Sequence, residues 1–185
     1  RIEVEITANT KCIAMTNNNT KRLGWLEGSW GPIDTLKVPI CDRGLTLGDG
    51  IFETILILNG HTQLLIEHLN RLHIGASLLN MASPPKIEWL EPLIKEGIKR
   101  SNLNNANGAL RLNWSRGDCS NLGINLPLEE SDKTAHRFWM EIREVEPCFQ
   151  SISAWISRHE QRNANSSLSQ CKSFNYLQAI QARNE

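Results

Sequence analysis

Ile51 to Leu58 is a largely apolar, β-branched run closing on Asn59-Gly60, a dipeptide whose residues tolerate the two positive φ angles of a type I′ turn. The run is read as a strand, and His61 to Leu64 as its returning hairpin partner. Leu65, Leu69, Leu72, Ala76 and Leu79 then recur at spacings of four and three. That period is one face of a helix, placed at about residues 65–80. A second helix follows Pro84-Pro85 with the stripe Ile87, Leu90, Ile94 and Ile98, and the Asn-rich stretch 102–107 ends it. Proline is tolerated there because the N–H groups of a first turn have no intrahelical partner.

Three alternating segments read as further strands: Leu110, Leu112 and Trp114; Phe138, Met140 and Ile142; and Ile152, Ala154 and Ile156. Upstream, Leu36, Val38 and Ile40 alternate with Thr35, Lys37 and Pro39. An edge strand is expected, since Pro39 has no N–H for a ladder. Ile2, Val4 and Ile6 suggest a peripheral strand before the polar tract at Asn17-Asn18-Asn19. Ser115 to Thr134 shows no period and reads as a long loop, of the kind that is functional or disordered. A polar stretch from His159 to Gln170 precedes a terminal helix carrying Tyr176, Leu177 and Ile180.

Composition narrows the partners. Among 185 residues, twenty Lys and Arg balance twenty Asp and Glu, so the basic excess that accompanies nucleic-acid or anionic-membrane binding is missing. No run reaches the roughly 20 apolar residues of a membrane span. A small-molecule partner is expected. Cysteines 12, 41, 119, 148 and 171 are scattered without a C-x-x-C pair, which suits reduced thiols and a cytoplasmic location. The triplets at Asn18, Asn113 and Asn165 read as chance glycosylation matches in an Asn-rich chain. Arg1 in place of Met, and an uncapped helical pattern over Gln181 to Glu185, read as two cut ends.

The candidate chemistry is sparse when each feature is taken alone. Gly44-Leu-Thr-Leu-Gly48-Asp49-Gly50 is either a phosphate cradle or a tight turn into a strand; it lacks the Lys-Ser/Thr of a P-loop, and spacing favours the turn. His68 and His73 are five apart, missing the i, i+4 geometry of a helical metal site, so no metal is expected. Arg71 lies off the apolar stripe of its helix and suits either an anion or an i, i+4 surface pair with Glu67. Lys172 precedes the last helix. A solvated loop lysine and a lysine whose lowered pKa frees its amine to attack a carbonyl carbon both fit that place.

Three ordered blocks carry a resemblance. Asp42-Arg43-Gly44-Leu45-Thr46-Leu47-Gly48-Asp49-Gly50-Ile51-Phe52-Glu53-Thr54 leads through a hairpin to His68-Leu69-Asn70-Arg71-Leu72; Ser115-Arg116-Gly117 closes a strand; Lys172-Ser173-Phe174-Asn175-Tyr176-Leu177 opens the last segment. In order and spacing, residues 25–185 resemble the class IV aminotransferase family, the fold-type IV pyridoxal phosphate enzymes. The resemblance favours the functional readings of Arg71 and Lys172. It implies pyridoxal 5′-phosphate as cofactor, Lys172 as the catalytic lysine that forms a Schiff base with it, Arg71 on its phosphate, and Tyr176 at its phenolic oxygen. Arg116 is implied for a substrate carboxylate, with a purely structural pair as the alternative.

The same resemblance implies an α+β fold: a mixed sheet with two helices over residues 25–150, an N-terminal extension over 1–24, and the start of a truncated cofactor-binding domain over 151–185. A homodimer acting on a small-molecule amino substrate is expected. The G-L-T-L-G-D-G-I-F-E-T and K-S-F-N-Y-L stretches most resemble the 4-amino-4-deoxychorismate lyase branch, which forms 4-aminobenzoate and pyruvate for folate synthesis. Branched-chain or D-amino-acid aminotransferase is the alternative, and a non-catalytic binding or assembly fragment is the third reading, because the family's later cofactor-binding segment is not in these 185 residues.

Overall fold

The computed structural model describes residues 12–14, 22–118, 123–126, 136–151, 153–154 and 156–185. Its centre is a six-stranded sheet in the order β3-β2-β7-β6-β4-β5, formed by β2 (Leu23–Leu26), β3 (Ser29–Pro32), β4 (Gly50–Leu58), β5 (His61–Thr62), β6 (Gly108–Ser115) and β7 (Arg137–Glu144). Two short strands, β1 (Cys12–Ala14) and β8 (Glu146–Cys148), pair separately. The α+β class is the one expected. The sheet, expected to be mixed, is antiparallel in every described pairing. The connections explain this: tight turns join β2 to β3 and β4 to β5, while an even number of long helices returns the chain to β6 at the end from which an antiparallel neighbour starts.

Those helices are α2 (Leu65–Leu78) and α3 (Ile87–Arg100), close to the positions read from periodicity. Alternation along the strands directs Ile51, Ile55 and Ile57 of β4, Leu110 and Leu112 of β6, and Met140 and Ile142 of β7 onto one face. Leu69, Leu72 and Ala76 from α2 and Leu90, Ile94 and Ile98 from α3 cover that face and complete the core. The opposite face carries Phe52, Thr54, Arg111, Asn113, Trp139 and Glu141.

The expected edge strand at 35–40 is absent. Residues 36–39 have no regular structure; β3 instead takes the edge beside β2 through a turn at Glu27-Gly28, both at positive φ. Around 152–156 the described residues are not in a strand, and Ile152 and Trp155 lie outside the described residues. The expected strand at 2–6 and most of the loop at 115–134 also lie outside them. The short α1 (Arg43–Thr46) and α4 (Ser167–Gln170) flank the sheet's end, and α5 (Leu177–Asn184) closes the chain. Among the described residues, no helix is long and apolar enough to cross a membrane.

Candidate active site

The glycine-rich block is an ionic clamp. Asp42 caps α1, its Oδ1 accepting from the Gly44 N–H at 2.7 Å. Its Oδ2 accepts from the Ser115 hydroxyl at 2.9 Å and from Arg137 Nη1. Asp49 Oδ2 accepts from Arg43 Nε and Arg116 Nε, each at 2.8 Å. Burial pushes the Asp49 carboxyl up, but hydrogen bonds and charge from Arg116 and Arg43 outweigh it and hold the group below its ordinary value. The block therefore fixes the start of β4 to the end of β6. Of its two readings, the tight turn is the one found.

This arrangement decides the placement of Arg116. Its Nη1 and Nη2 donate to the Asn80 and Leu79 carbonyls at 2.9 and 2.8 Å, just beyond the end of α2, and the residue is buried. With Nε on Asp49, every nitrogen of its fork is engaged inside the protein. The structural pair describes Arg116; a fork open to a substrate carboxylate does not.

β5 pairs with β4 only at Ile57 and Leu58, so the first residues of β4 keep a free edge. The segment after α4 occupies it: the Phe52 N–H donates to the Lys172 carbonyl at 2.8 Å, and the Phe174 N–H to the Gly50 carbonyl at 2.9 Å. Ile51 and Ser173 form the bridge between them. Strand alternation then sends Ser173 toward the core, where it is buried, and Lys172 and Phe174 toward Phe52. Gly50 makes this possible, because a Cβ there would lie 2.3 Å from the Phe174 ring.

Lys172 Nζ lies 4.6 Å above the Phe52 ring and donates to the Tyr176 hydroxyl at 2.8 Å. Phe52 touches Tyr176 and Phe174 at centroid separations of 5.1 and 6.2 Å, and Trp139 backs Phe174 at 5.7 Å. Arg71, on α2, donates from Nε and Nη2 to the two oxygens of Glu53, both at 2.6 Å. Its partner is this buried β4 carboxylate and not the Glu67 suggested by helical spacing. The Glu53 bond, with its charge, raises the Arg71 pKa against a smaller opposing effect of burial, and the Tyr176 oxygen is within electrostatic reach. Lys172 and Tyr176 thus meet over Phe52, and Arg71 is held on the adjoining residue of β4, Glu53.

Arg111 and Glu53 belong to the same region and were not singled out from sequence. Arg111 Cζ lies 3.5 Å over Phe52, with Nε donating to Asn113 Oδ1 at 2.8 Å. Burial lowers its pKa against the opposing pull of Glu141 and Tyr176. The available signal was register: Arg111 and Asn113 interrupt the Leu110, Leu112, Trp114 alternation and so share the face of Phe52.

The model of the family described as amino-transferase class IV matches residues 50–185. The chain belongs to the class IV aminotransferases. It is 32% identical to a D-alanine aminotransferase of Listeria monocytogenes over 75 residues, covering 40% of this chain and 26% of that one. It is 36% identical to a bifunctional aminodeoxychorismate lyase / D-amino acid transaminase of Mycobacterium tuberculosis over 77 residues, covering 41% and 26%. The fold resembles the branched-chain amino acid aminotransferase of Escherichia coli with a TM-score of 0.65 at 20% identity, covering 86% of this chain and 54% of that one. The chain thus spans about a quarter of the length of these two curated class IV relatives and about half of that aminotransferase.

Proposed function

We propose that the protein containing this chain is a pyridoxal-phosphate-dependent enzyme of amino substrates, and that its reaction is the 4-amino-4-deoxychorismate lyase reaction. The observation that carries the cofactor reading is the Lys172–Tyr176 contact over Phe52, with Arg71 held nearby by Glu53. This donor set fits the group in kind: an amine for an aldehyde, a phenol for a ring oxygen and a guanidinium for a phosphate. Lys172 would hold the aldehyde, Tyr176 the ring oxygen and Arg71 the phosphate. When bound, the group supplies an electron sink that lets the C–H bond beside a substrate's attached amine ionise.

The remaining chemistry belongs to the chain. Lys172 Nζ, as a free amine, would be the base that receives that proton. Tyr176 Oη, 2.8 Å from Nζ, keeps the amine over the ring of Phe52, where it would meet the aldehyde. Phe52, Phe174 and Trp139 form an apolar floor that would limit water beside Lys172 Nζ. Arg111, which shares Phe52 with Lys172, is the guanidinium placed for a substrate carboxylate in the role first considered for Arg116.

The lyase reading is supported by the G-L-T-L-G-D-G-I-F-E-T and K-S-F-N-Y-L stretches and by similarity to the bifunctional lyase / transaminase. The D-alanine aminotransferase similarity favours transamination as the second reading. The two differ in stoichiometry, since elimination needs no amino-group acceptor, whereas transamination needs a keto acid. The full-length enzyme given aminodeoxychorismate alone is expected to release pyruvate and 4-aminobenzoate. Background pyruvate release, with amino-group exchange between D-amino acids and keto acids, would replace the lyase by the transaminase. Borohydride reduction followed by peptide mapping is expected to label Lys172, and a label on another lysine would refute the cofactor assignment.

A further inference from the structure

Glu53 is a carboxylate on a strand, pointed into the helix-covered face of the sheet and only 1% exposed, yet its partner Arg71 has a side chain 53% exposed. A surface arginine on a helix ordinarily pairs along its own helix, and Glu67 stands four residues N-terminal in the favourable orientation. Arg71 instead reaches across to Glu53 with Nε and Nη2. His68, one turn earlier, brings Nδ1 to 2.8 Å from Glu53 Oε2. Both oxygens of the carboxylate are thereby fixed, and among the described residues the second amino group of Arg71, Nη1, makes no hydrogen bond.

We propose that Glu53 is the positioning residue of the phosphate end: it locks the Arg71 guanidinium so that Nη1 is presented to a phosphomonoester, and it keeps Arg71 from turning to Glu67. The proposal rests on the reading of Arg71 as the residue on the cofactor phosphate. Its physical content is a competition of signs. As a charge, Glu53 opposes an incoming dianion, so neutralising it would strengthen phosphate binding. As a constraint, it removes the rotamer freedom of a long side chain before the ligand arrives, so releasing it would weaken binding. The Glu53 side chain is buried and held at both oxygens, whereas Arg71 is half exposed with another carboxylate within reach; the constraint therefore dominates.

The experiment compares pyridoxal phosphate with pyridoxal, which share the aldehyde and ring that Lys172 and Tyr176 would hold and differ at the phosphate. In the full-length protein, Glu53→Gln is expected to weaken pyridoxal phosphate about tenfold while leaving pyridoxal within about twofold. Unchanged or tighter pyridoxal phosphate binding would overturn the proposal in favour of charge alone, and an equal loss for both ligands would overturn it in favour of a structural role. In an Arg71→Ala background, Glu53→Gln should cost nothing further, and a second full loss counts against the proposal. Arg71→Lys, on the exposed helix surface, provides a check independent of the folding of Glu53→Gln: it retains charge without the fork and should lose pyridoxal phosphate selectively. Affinity equal to wild type would overturn the positioning role. If the wild-type protein itself does not prefer pyridoxal phosphate to pyridoxal, the reading of Arg71 fails and this inference with it, an outcome distinct from those above.

Discussion

Arg71 shows what a single residue's neighbours add to its spacing. Position along α2 offers Glu67 as partner, and the structure supplies Glu53. The two arrangements have different consequences. An exposed i, i+4 pair contributes only about 0.3–0.5 kcal/mol, whereas a charge-assisted contact to a bound phosphate is worth about 1.5–3 kcal/mol. Arg71→Ala should therefore weaken pyridoxal phosphate binding by roughly 10- to 100-fold, with Glu67→Ala within about twofold, as read by absorbance titration of the full-length protein. Equal small losses would return Arg71 to the helix surface. Arg71 and Lys172 stood out in the sequence because they sit in ordered motifs. Glu53 and Arg111 did not, because a polar residue in a strand declares its face by alternation but not which side chain from another element meets it. Arg116 misled for the same reason: its motif position is plain, but its occupation by Asp49 and two carbonyls depends on where α2 ends.

At the scale of the element, period and turn chemistry were legible where local preference and tertiary packing agree. β4, α2, α3 and β6 carry strong apolar periods, and each lies close to where its pattern put it. Residues 36–39 alternate equally well but form no strand, because β3 already supplies the edge beside β2 and Pro39 removes a donor. Alternation establishes that a segment fits a strand, not that a sheet edge is free to receive it. The Asn59-Gly60 turn is the firmest local feature, with φ of 47° and 79° at its two residues. A Cβ at Gly60 would also lie 2.2 Å from the Asn104 carbonyl oxygen, so the site needs glycine for both conformation and space. Gly60→Ala should destabilise the chain by about 1–3 kcal/mol, read as a lower urea midpoint with little change in slope. A midpoint equal to wild type would mean that the turn and the Asn104 segment shift apart without cost.

At the scale of the whole molecule, the clamp at Asp42, Arg43, Asp49, Ser115 and Arg116 connects the fold to the site, since it fixes the end of the sheet on which the Lys172 segment lies. Asn175 extends that connection, donating from Nδ2 to the Gly48 carbonyl at 3.3 Å. Its acid response has a defined sign. Asp49 has a folded pKa depressed below the ordinary 3.8, so its contribution to stability is fully present above that value and is lost as pH falls through the lower folded one. Asp49→Asn removes one partner from a largely buried pair with two guanidiniums, a change that costs about 3–5 kcal/mol at neutral pH. Asp118, depressed by the hydrogen bond from Arg137, titrates in the same range in both proteins. The diagnostic quantity is therefore the wild-type minus variant difference in unfolding free energy. That difference should be constant from pH 7 to about 5 and shrink steadily below about 4. A difference that stays constant to the acid limit would show that Asp49 does not hold the clamp by its charge, and the rigidity of the Lys172 segment would then have to come from the packing of Phe174 on Gly50 and Trp139.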